Sequence, residues 1–496
     1  MASTGGAILY SEQLPPAVMH RRSANYQPKT WDYDSICSMQ QANKMISVEP
    51  SEQISTVKTS LKQRVRQLLL KEDQELATRL RIIDQLQSLG VAYHFQEEIK
   101  RLLMSMHDAH LQLKHDLSST ALMFRMLRSH AIPASIDMFN AFSDGNGDLE
   151  AASPCSVDVD GFIALYEASY LAFPQEETML DRAREYAIKK LQELMPSTEH
   201  YQREKVRAVL LDLPLHWRAP RLQTAWSLKE HRDNWESCGC RSIDSSIRQM
   251  AALDFNQVQA MHRSELLEVT TWWKESRLGE KLPFARDRLV ECFFCAACIA
   301  PEPHLAGRRE VLAKVGSLIV HLDDVYDVYG TLEELDEFTD AIAAWDESSA
   351  EALPEYMKAM YATIRATSTA AADRVMKEQG YDVLPLYKKA AESERGEGPL
   401  SIACLMAESG DGATEKEARV AVADAIAETW KEVNAEVALS NTGEADRVCI
   451  NLARIIQCIY RDGDDITSPS DNRKRLIKDL FFTPADANIC DADALA

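Results

Sequence analysis

The spacing of apolar residues along the chain predicts helices from end to end. The first two apolar stripes comprise Val57, Leu61, Val65 and Leu68, followed by Leu76, Leu80, Ile83 and Leu86. Residues that recur every three to four positions are typical of amphipathic helices. Gly90 then predicts the end of the second helix. Alternation with a period of two is nearly absent and no unit of roughly 30 to 45 residues repeats, so we predict an all-α fold.

The same pattern continues to the end of the chain and predicts two helical domains. Thr414 and Glu417 match a helix-starting capping box, ahead of another apolar stripe. Pro214 and Pro220 interrupt the helices and favour a domain junction there. We therefore predict a leader over residues 1–20, an N-terminal domain over residues 21–215 and a C-terminal domain over residues 216–496.

Composition is that of a globular protein and disfavours some partners. The chain has 496 residues, of which 46% are hydrophobic and 27% are charged. Its 55 Lys and Arg stand against 77 Asp and Glu, which gives a net charge of −22. Nucleic acid is therefore an unlikely partner on charge grounds, and no apolar run reaches the roughly 18 residues of a membrane span.

The cysteines suggest neither disulfides nor a metal cluster. There are eleven, an odd number, scattered along a long chain. Cys292, Cys295 and Cys298 are spaced like metal ligands, but Glu302 stands where an iron–sulfur run would continue. We interpret the three as thiols in the core, on one helix.

The most informative stretch is an apolar run that ends in three acids and a glycine. Asp323, Asp324 and Asp327 follow SLIVHL and precede Gly330. On a helix Asp323 and Asp327 share a face and would repel each other unless a cation lay between them. Mg²⁺ takes one or two carboxylates, several waters and phosphate oxygens. A solvated acidic helix end is the alternative, which the preceding apolar run disfavours.

Cations and aromatic residues lie upstream of these acids. Arg286 and Arg288 stand in the sequence FARDR and could hold a diphosphate bidentately. Ordinary salt bridges are the alternative for each arginine taken alone. Trp273 follows Trp272 directly. Trp273 could line a cavity, and filling of the core is the alternative.

In combination these residues resemble a plant terpene synthase of class I, the metal-dependent type. RRSANYQPKTW, from Arg21 to Trp31, is similar to the paired-arginine and tryptophan motif of many monoterpene synthases. FARDR and DDVYD follow in the family's order, and LARIIQCIYRDGDD resembles its closing active-site segment. The resemblance covers most of the chain.

The resemblance implies an N-terminal α-barrel-like domain and a C-terminal class I helical bundle that holds the active site. The implied reaction is ionisation of a prenyl diphosphate, with geranyl diphosphate as the expected substrate, followed by cyclisation or rearrangement and loss of diphosphate. Such a lyase uses Mg²⁺, with Mn²⁺ as the alternative. By this resemblance Arg21 and Arg22 fold over the site and contact the substrate. By the same resemblance Trp273 and Tyr460 belong to the aromatic wall of the site, and Tyr460 and Asp464 are catalytic residues of its closing segment. Arg286 and Arg288 lie beside the diphosphate.

One departure from the family affects the expected activity. The family's second metal motif is not found, and several dozen residues are missing near position 390. If Glu392 is the last ligand of that motif, the two preceding positions are Leu384 and Lys388, neither of which binds Mg²⁺. The expected ligands are therefore Asp323, Asp324, Asp327 and Glu392, and we expect weak or no activity.

Two rival functions follow from this departure and from the acids. The first is a silent helical paralogue or splice form that binds a partner or a diphosphate without turnover. The second is a chain-elongating prenyl transferase, which would need a second DDxxD that the sequence does not supply. The motif at Arg21 suggests a plastid protein, with the cytoplasm as the alternative. A monomer or homodimer is expected, and the product skeleton stays open.

Overall fold

The computed structural model describes most of the chain outside the first twenty residues and several connecting segments. The described residues are 21–36, 52–107, 116–143, 159–198, 200–234, 244–385, 414–439, 443–461 and 463–485, with Ser38 and Leu113. The expected leader, residues 1–20, and Glu392 lie outside them.

The described residues are helical, without strands, which confirms the predicted all-α fold. In chain order the helices are α1 (Glu52–Leu69), α2 (Leu76–Ser88), α3 (Gln96–His107), α4 (Leu117–Ser129), α5 (Val159–Ser169), α6 (Glu177–Leu194), α7 (His200–Leu211), α8 (Pro220–Asn234), α9 (Ser245–Ser276), α10 (Leu278–Lys281), α11 (Leu289–Ile299), α12 (Ala306–Asp323), α13 (Leu332–Ala344), α14 (Glu355–Gln379), α15 (Glu415–Leu439), α16 (Glu444–Tyr460) and α17 (Asp471–Phe481). In the part of the chain described here, no helix is both long and apolar enough to cross a membrane.

The chain divides into two compact units. The described residues of the larger unit fall within Thr30–Glu275, Arg288–Gly316 and Ser393–Ala496. Those of the smaller unit fall within Met1–Lys29, Ser276–Asp287 and Ser317–Glu392. The smaller unit thus holds the DDVYD segment, and the larger unit holds the N-terminal helices. The predicted boundary at residues 215 and 216 stays a prediction, since these units are not continuous in sequence.

One hydrophobic core runs through α1 to α7 and the beginning of α9 in the larger unit. The apolar stripes predicted from the sequence face it, with Val65, Leu80 and Ile83 fully buried. The capping box also forms, since Oγ1 of Thr414 accepts a hydrogen bond from the backbone of Glu417 at 3.3 Å. Local spacing and capping therefore predict these helices correctly.

The cysteines of α11 lie inside the protein, as expected. Cys292 and Cys298 are buried, and none of the three cysteines on this helix forms a disulfide. Burial raises the pKa of Cys298 well above its ordinary value, so its thiol stays protonated. The interpretation as core thiols is confirmed.

Gly90 ends α2 in a conformation that other residues adopt poorly. Its φ is +73°, and a Cβ built there would lie 2.3 Å from Oγ1 of Thr224 in α8. The close approach of α8 therefore depends on the absence of a side chain.

Replacing Gly90 with Ala should lower the free energy of unfolding by about 2–3 kcal/mol, because it adds both backbone strain and overpacking. Gly380→Ala is the matched control, since Gly380 also has a positive φ, +81°, but nothing lies within 4 Å of the place that a Cβ would take. That control should lose about 1 kcal/mol. Urea titration followed by circular dichroism measures both, and equal losses would contradict the packing argument.

His262 in α9 is a buried polar group that packs against rings. Its ring lies 6.4 Å from Phe293 and 6.0 Å from Phe481, and neither ring nitrogen has a hydrogen-bond partner among the described residues. Burial holds the pKa of His262 well below 6.5, and the charges of Arg221 and Arg309 add to this effect. The folded chain therefore keeps this imidazole neutral.

Below pH 6.5 the unfolded chain binds a proton at His262 that the folded chain does not, so stability falls as the pH drops. We expect His262→Leu to raise the free energy of unfolding by about 1 kcal/mol at pH 7 and by more at pH 5. His262→Gln keeps a buried polar group and should show no gain. Denaturant titrations at both pH values test this. If the free energy of unfolding of His262→Leu depends on pH as that of wild type does, His262 is not a source of the pH dependence.

Candidate active site

The DDVYD acids lie where α12 passes into a wider turn. Asp324–Tyr329 form a π-helix, a rare element that is frequent at functional sites. Its end is fixed by Gly330, whose backbone N–H donates to the carbonyl oxygen of Val325 at 2.8 Å. A Cβ on Gly330 would lie 2.9 Å from that same oxygen, which explains the glycine that closes the segment.

Asp324 points inward from this segment and pairs with Arg286. Its side chain is 1% exposed. Its Oδ2 accepts from the backbone N–H of Arg286 at 2.6 Å and from Nε at 3.1 Å. Burial alone would lower the pKa of Arg286, but the hydrogen bond and charge of Asp324 raise it. This ion pair is therefore a fixed element of the smaller unit.

Asp323 and Asp327 lie on the exposed side of the same segment. The Asp323 side chain is 53% exposed, and Nη2 of Arg286 lies 3.9 Å from its Oδ2. Asp327 is exposed as well. Within the described ranges, no three His, Cys, Asp or Glu side chains could hold a metal by themselves. Two exposed carboxylates with one neighbouring arginine do fit Mg²⁺ that takes its other ligands from water and phosphate.

Tyr26, from the segment that carries the paired arginines, lies against this ion pair. Its ring centroid is 4.9 Å from Cζ of Arg286. Burial and a hydrogen bond to Asp324 raise the pKa of Tyr26 to about 12. The phenol therefore stays protonated and contacts the acid that faces inward.

Arg21 is held by Glu334 at the start of α13. Its Nη1 and Nη2 donate to the two carboxylate oxygens of Glu334 at 2.7 and 2.6 Å. The hydroxyl of Tyr356 donates to Glu334 at 2.9 Å. These contacts, with Arg21 first, lower the pKa of Glu334 to about 2.

Aromatic rings surround the Arg21 guanidinium. It lies 4.6 Å from the ring centroid of Tyr329 and 5.4 Å from that of Tyr356. Phe284 stacks on Tyr329 with centroids 3.6 Å apart. Cation–π contacts of this kind add to the ion pair, so the segment at Arg21 is anchored by charge and by stacking together.

The smaller unit thus brings together Arg21, Arg286, Asp323, Asp324 and Asp327. Arg22 lies beside Arg21 and is exposed. The hydrogen bond from Arg21 to Glu334 in this unit joins residues that are more than 300 positions apart in sequence.

Other expected residues lie in the larger unit. Nε and Nη2 of Arg288 donate to the carbonyls of Ile466 and Thr467, both at 2.9 Å. Asp464 accepts from the backbone N–H groups of the same two residues at 3.0 and 2.9 Å. Arg288 and Asp464 therefore stabilise one turn.

The two aromatic candidates differ in exposure. Trp273 is 4% exposed, with its ring centroid 6.0 Å from that of Trp272. Tyr460 at the end of α16 is 54% exposed. Their catalytic roles stay predictions.

Sequence reasoning missed Tyr26, Glu334, Tyr356 and Phe284. A signal did exist for Glu334, since Thr331 stands three positions before it as in a capping box. That box forms and places Glu334 at the helix start. The aromatic residues have no such local signal, because stacking partners distant in sequence decide their position.

The fold is that of an all-α protein with two exposed acids beside an arginine, and comparison with known proteins identifies the family. Residues 30–210 match the family description "Terpene synthase, N-terminal domain", and residues 274–392 match "Terpene synthase family, metal binding domain". A chloroplastic geraniol synthase from Cinnamomum tenuipile is 32% identical over 566 aligned positions, which cover 96% of this chain and 90% of that protein. The chain belongs to the terpene synthase family.

Solved structures agree with this assignment. A limonene synthase structure with 2-fluorolinalyl diphosphate matches with a TM-score of 0.81 and 29% identity, covering 94% of this chain and 100% of that one. Isoprene synthase from grey poplar, solved with three Mg²⁺ ions and dimethylallyl-S-thiolodiphosphate, matches with a TM-score of 0.75 and 28% identity over 92% and 99%. Terpene synthases are lyases that bind prenyl diphosphates, and the metal-binding domain indicates use of a divalent cation.

The alignment to the geraniol synthase also contains many positions at which this chain has no residue. The alignment has 566 positions, and about 476 residues of this chain, 96% of 496, are aligned in it. About 90 positions of the alignment therefore hold a residue of the relative and none of this chain. The match to the metal-binding domain ends at residue 392, next to the expected shortening near position 390.

Replacing Glu334 with Ala should release the segment at Arg21, because the arginine loses both carboxylate hydrogen bonds. We expect amide hydrogen exchange in residues 21–27 to become roughly tenfold faster. Glu333→Ala, which removes an exposed acid from the same first turn, is the control and should leave exchange unchanged. Equal protection in the two variants, measured by mass spectrometry, would show that Glu334 does not anchor this segment.

Proposed function

We propose that this chain acts on geranyl diphosphate in the presence of Mg²⁺, in a plastid, and with low turnover. The observation that carries the substrate and metal assignment is the cluster of Asp323, Asp327 and Arg286, with Arg21 held in the same unit. The resemblance of Arg21–Trp31 to the motif of monoterpene synthases and the similarity to a chloroplastic geraniol synthase support the substrate and the location.

Asp323 and Asp327 are the proposed Mg²⁺ ligands. Both are exposed, whereas Asp324 is committed to Arg286 and orients the segment. Mg²⁺ bound there would neutralise the diphosphate and so favour its departure. Arg286 lies next to the ligands and is placed to donate to diphosphate oxygens. Mn²⁺ has the same oxygen preference and is the alternative.

Arg288 and Asp464 are proposed as positioning residues. Each holds the turn that follows α16 through backbone groups of Ile466 and Thr467. Tyr460 and Trp273 keep their proposed place in the wall that contacts the carbocation. Such a wall requires rings that are shielded from water.

Low turnover is proposed on the expectation that a catalytic segment is missing near position 390. About 90 positions of the relative have no counterpart. In addition, α16 exposes an apolar stripe of Leu452, Ile456 and Tyr460, with 45%, 45% and 54% of each residue accessible. A helix buries such a stripe when its neighbours are complete. We therefore attribute the exposed stripe to the missing segment. The low turnover then has two causes, namely this incomplete packing and the loss of the second metal motif.

A second candidate function is diphosphate binding without turnover. The same gap favours it, because Glu392 would be the sole remaining ligand of the second motif. The exposed acids and Arg286 would then bind the substrate but not ionise it.

Gas chromatography with mass spectrometry on purified protein given geranyl diphosphate and Mg²⁺ tests the first proposal. We expect a small terpenoid yield that chelation abolishes and that Asp323→Ala removes. Asp336→Ala, which removes an exposed acid from α13, is the matched control and should leave the yield unchanged. Product from Asp323→Ala equal to wild type would exclude this carboxylate as a ligand.

Inserting the geraniol synthase segment that has no counterpart here between residues 390 and 391 tests the cause of the low turnover. We expect turnover to rise roughly a hundredfold, because the restored ligands stabilise departing charge. The control is the same insert with its acidic residues changed to alanine. If the chain without the insert shows no product yet binds geranyl diphosphate with Mg²⁺, the silent function replaces the first proposal.

A further inference from the structure

The larger unit contains a cavity of about 830 Å³ that no step above uses. Residues of α2, α4, α8, α15 and α16 line it, together with the turn before α8. None of the DDVYD residues lies in its lining. The cavity is thus separate from the proposed metal ligands.

The lining of this cavity is strongly cationic. Seven Lys and Arg residues line it, against three Asp and Glu. The chain as a whole has a net charge of −22. A concentration of positive charge inside an acidic protein is costly to maintain unless an anion offsets it.

Three of these arginines, Arg125, Arg218 and Arg221, keep a buried donor that no described residue accepts. Arg218 donates through Nη1 to Gln223 at 3.0 Å, while its Nη2 is buried without a partner in the described ranges. Arg125 donates to Asp84 through Nη2 at 2.5 Å, and its Nε is likewise unmatched there. Buried donors are nearly always satisfied, so these unmatched N–H groups indicate an absent acceptor.

Another arginine at the cavity, Arg454, carries a charge that no described carboxylate balances. Arg454 donates to the carbonyl of His216 at 2.8 Å and to Asn451 at 2.9 Å. Burial lowers the pKa of Arg454 to about 10, so it remains charged. Burial lowers the pKa of His216 to about 3, and the charges of Arg454 and Arg125 add to this effect.

The chemistry of these groups selects the ligand. Guanidinium forks match phosphate oxygens, and several of them together favour an anion with more than one charge. The first turn of α8 also lines the cavity, and helix starts attract phosphate. We propose that this cavity binds a phosphate or diphosphate group, free or carried by a small organic molecule, through Arg125, Arg218 and Arg454.

Isothermal titration calorimetry on the full chain in EDTA tests this proposal, since chelation removes metal-dependent binding at the DDVYD acids. Inorganic phosphate, inorganic diphosphate and geranyl diphosphate are titrated separately. We expect saturable binding of at least one. Tighter binding of geranyl diphosphate would show that the cavity binds the group as part of an organic molecule. Equal or tighter binding of inorganic diphosphate would show that it binds the free anion.

Variants locate the site. Arg454→Gln should weaken binding roughly ten- to a hundredfold. Arg461→Gln is the matched control, because Arg461 ends the same helix, pairs with Asp212 and does not line the cavity. If Arg454→Gln fails to fold, Arg218→Lys replaces it as the test. This variant keeps the charge but loses the guanidinium fork, so it should retain only part of the affinity. Asp323→Ala and Arg286→Ala remove any binding at the DDVYD acids, so the affinity that they keep in EDTA is that of the cavity and should still fall when Arg454→Gln is added.

Three results would overturn the proposal. One is the absence of saturable binding for all three anions. Another is an equal loss of affinity in Arg461→Gln and in the cavity variants. The third is binding that Asp323→Ala or Arg286→Ala abolishes, since the anion would then occupy the metal-binding region instead.

Discussion

The pairing of Asp324 with Arg286 is the constraint on which the candidate site depends. A carboxylate that is 1% exposed requires a nearby cation, and Arg286 supplies both its backbone N–H and its guanidinium. Because Asp324 is fixed inward, its neighbours Asp323 and Asp327 are left on the exposed side. Tyr26 then packs on the same arginine. One buried ion pair therefore assigns the three acids of the motif to two different tasks.

This division of tasks marks the limit of what the sequence could predict. Apolar spacing predicted α1 and α2, and Thr414 with Glu417 predicted the start of α15, because these features depend on residues close in sequence. The motif identified Asp323, Asp324 and Asp327 as a group. It could not distinguish Asp324, since a π-helix departs from the regular spacing on which that reasoning rests.

Long-range partners were the other limit. The anchor of Arg21 is Glu334, more than 300 residues away, and the rings around it come from separate elements. No spacing rule connects such positions. The predicted role of the arginine segment depended instead on resemblance to a family, whereas the structure supplies a physical cause, namely a carboxylate whose pKa is lowered to about 2.

The proposed loss of a segment near position 390 would have different consequences for folding and for chemistry. The main core of the larger unit is built from α1 to α7 and the start of α9, all of which precede residue 392. The ion pair of Arg286 with Asp324 and the anchor of Arg21 also precede it. These parts can therefore form without the segment. Under the proposal, the exposed stripe on α16 marks the place of the lost neighbour, and a carbocation requires walls that exclude water. A shortened chain can thus keep its fold and its acids while losing the enclosure that makes ionisation productive.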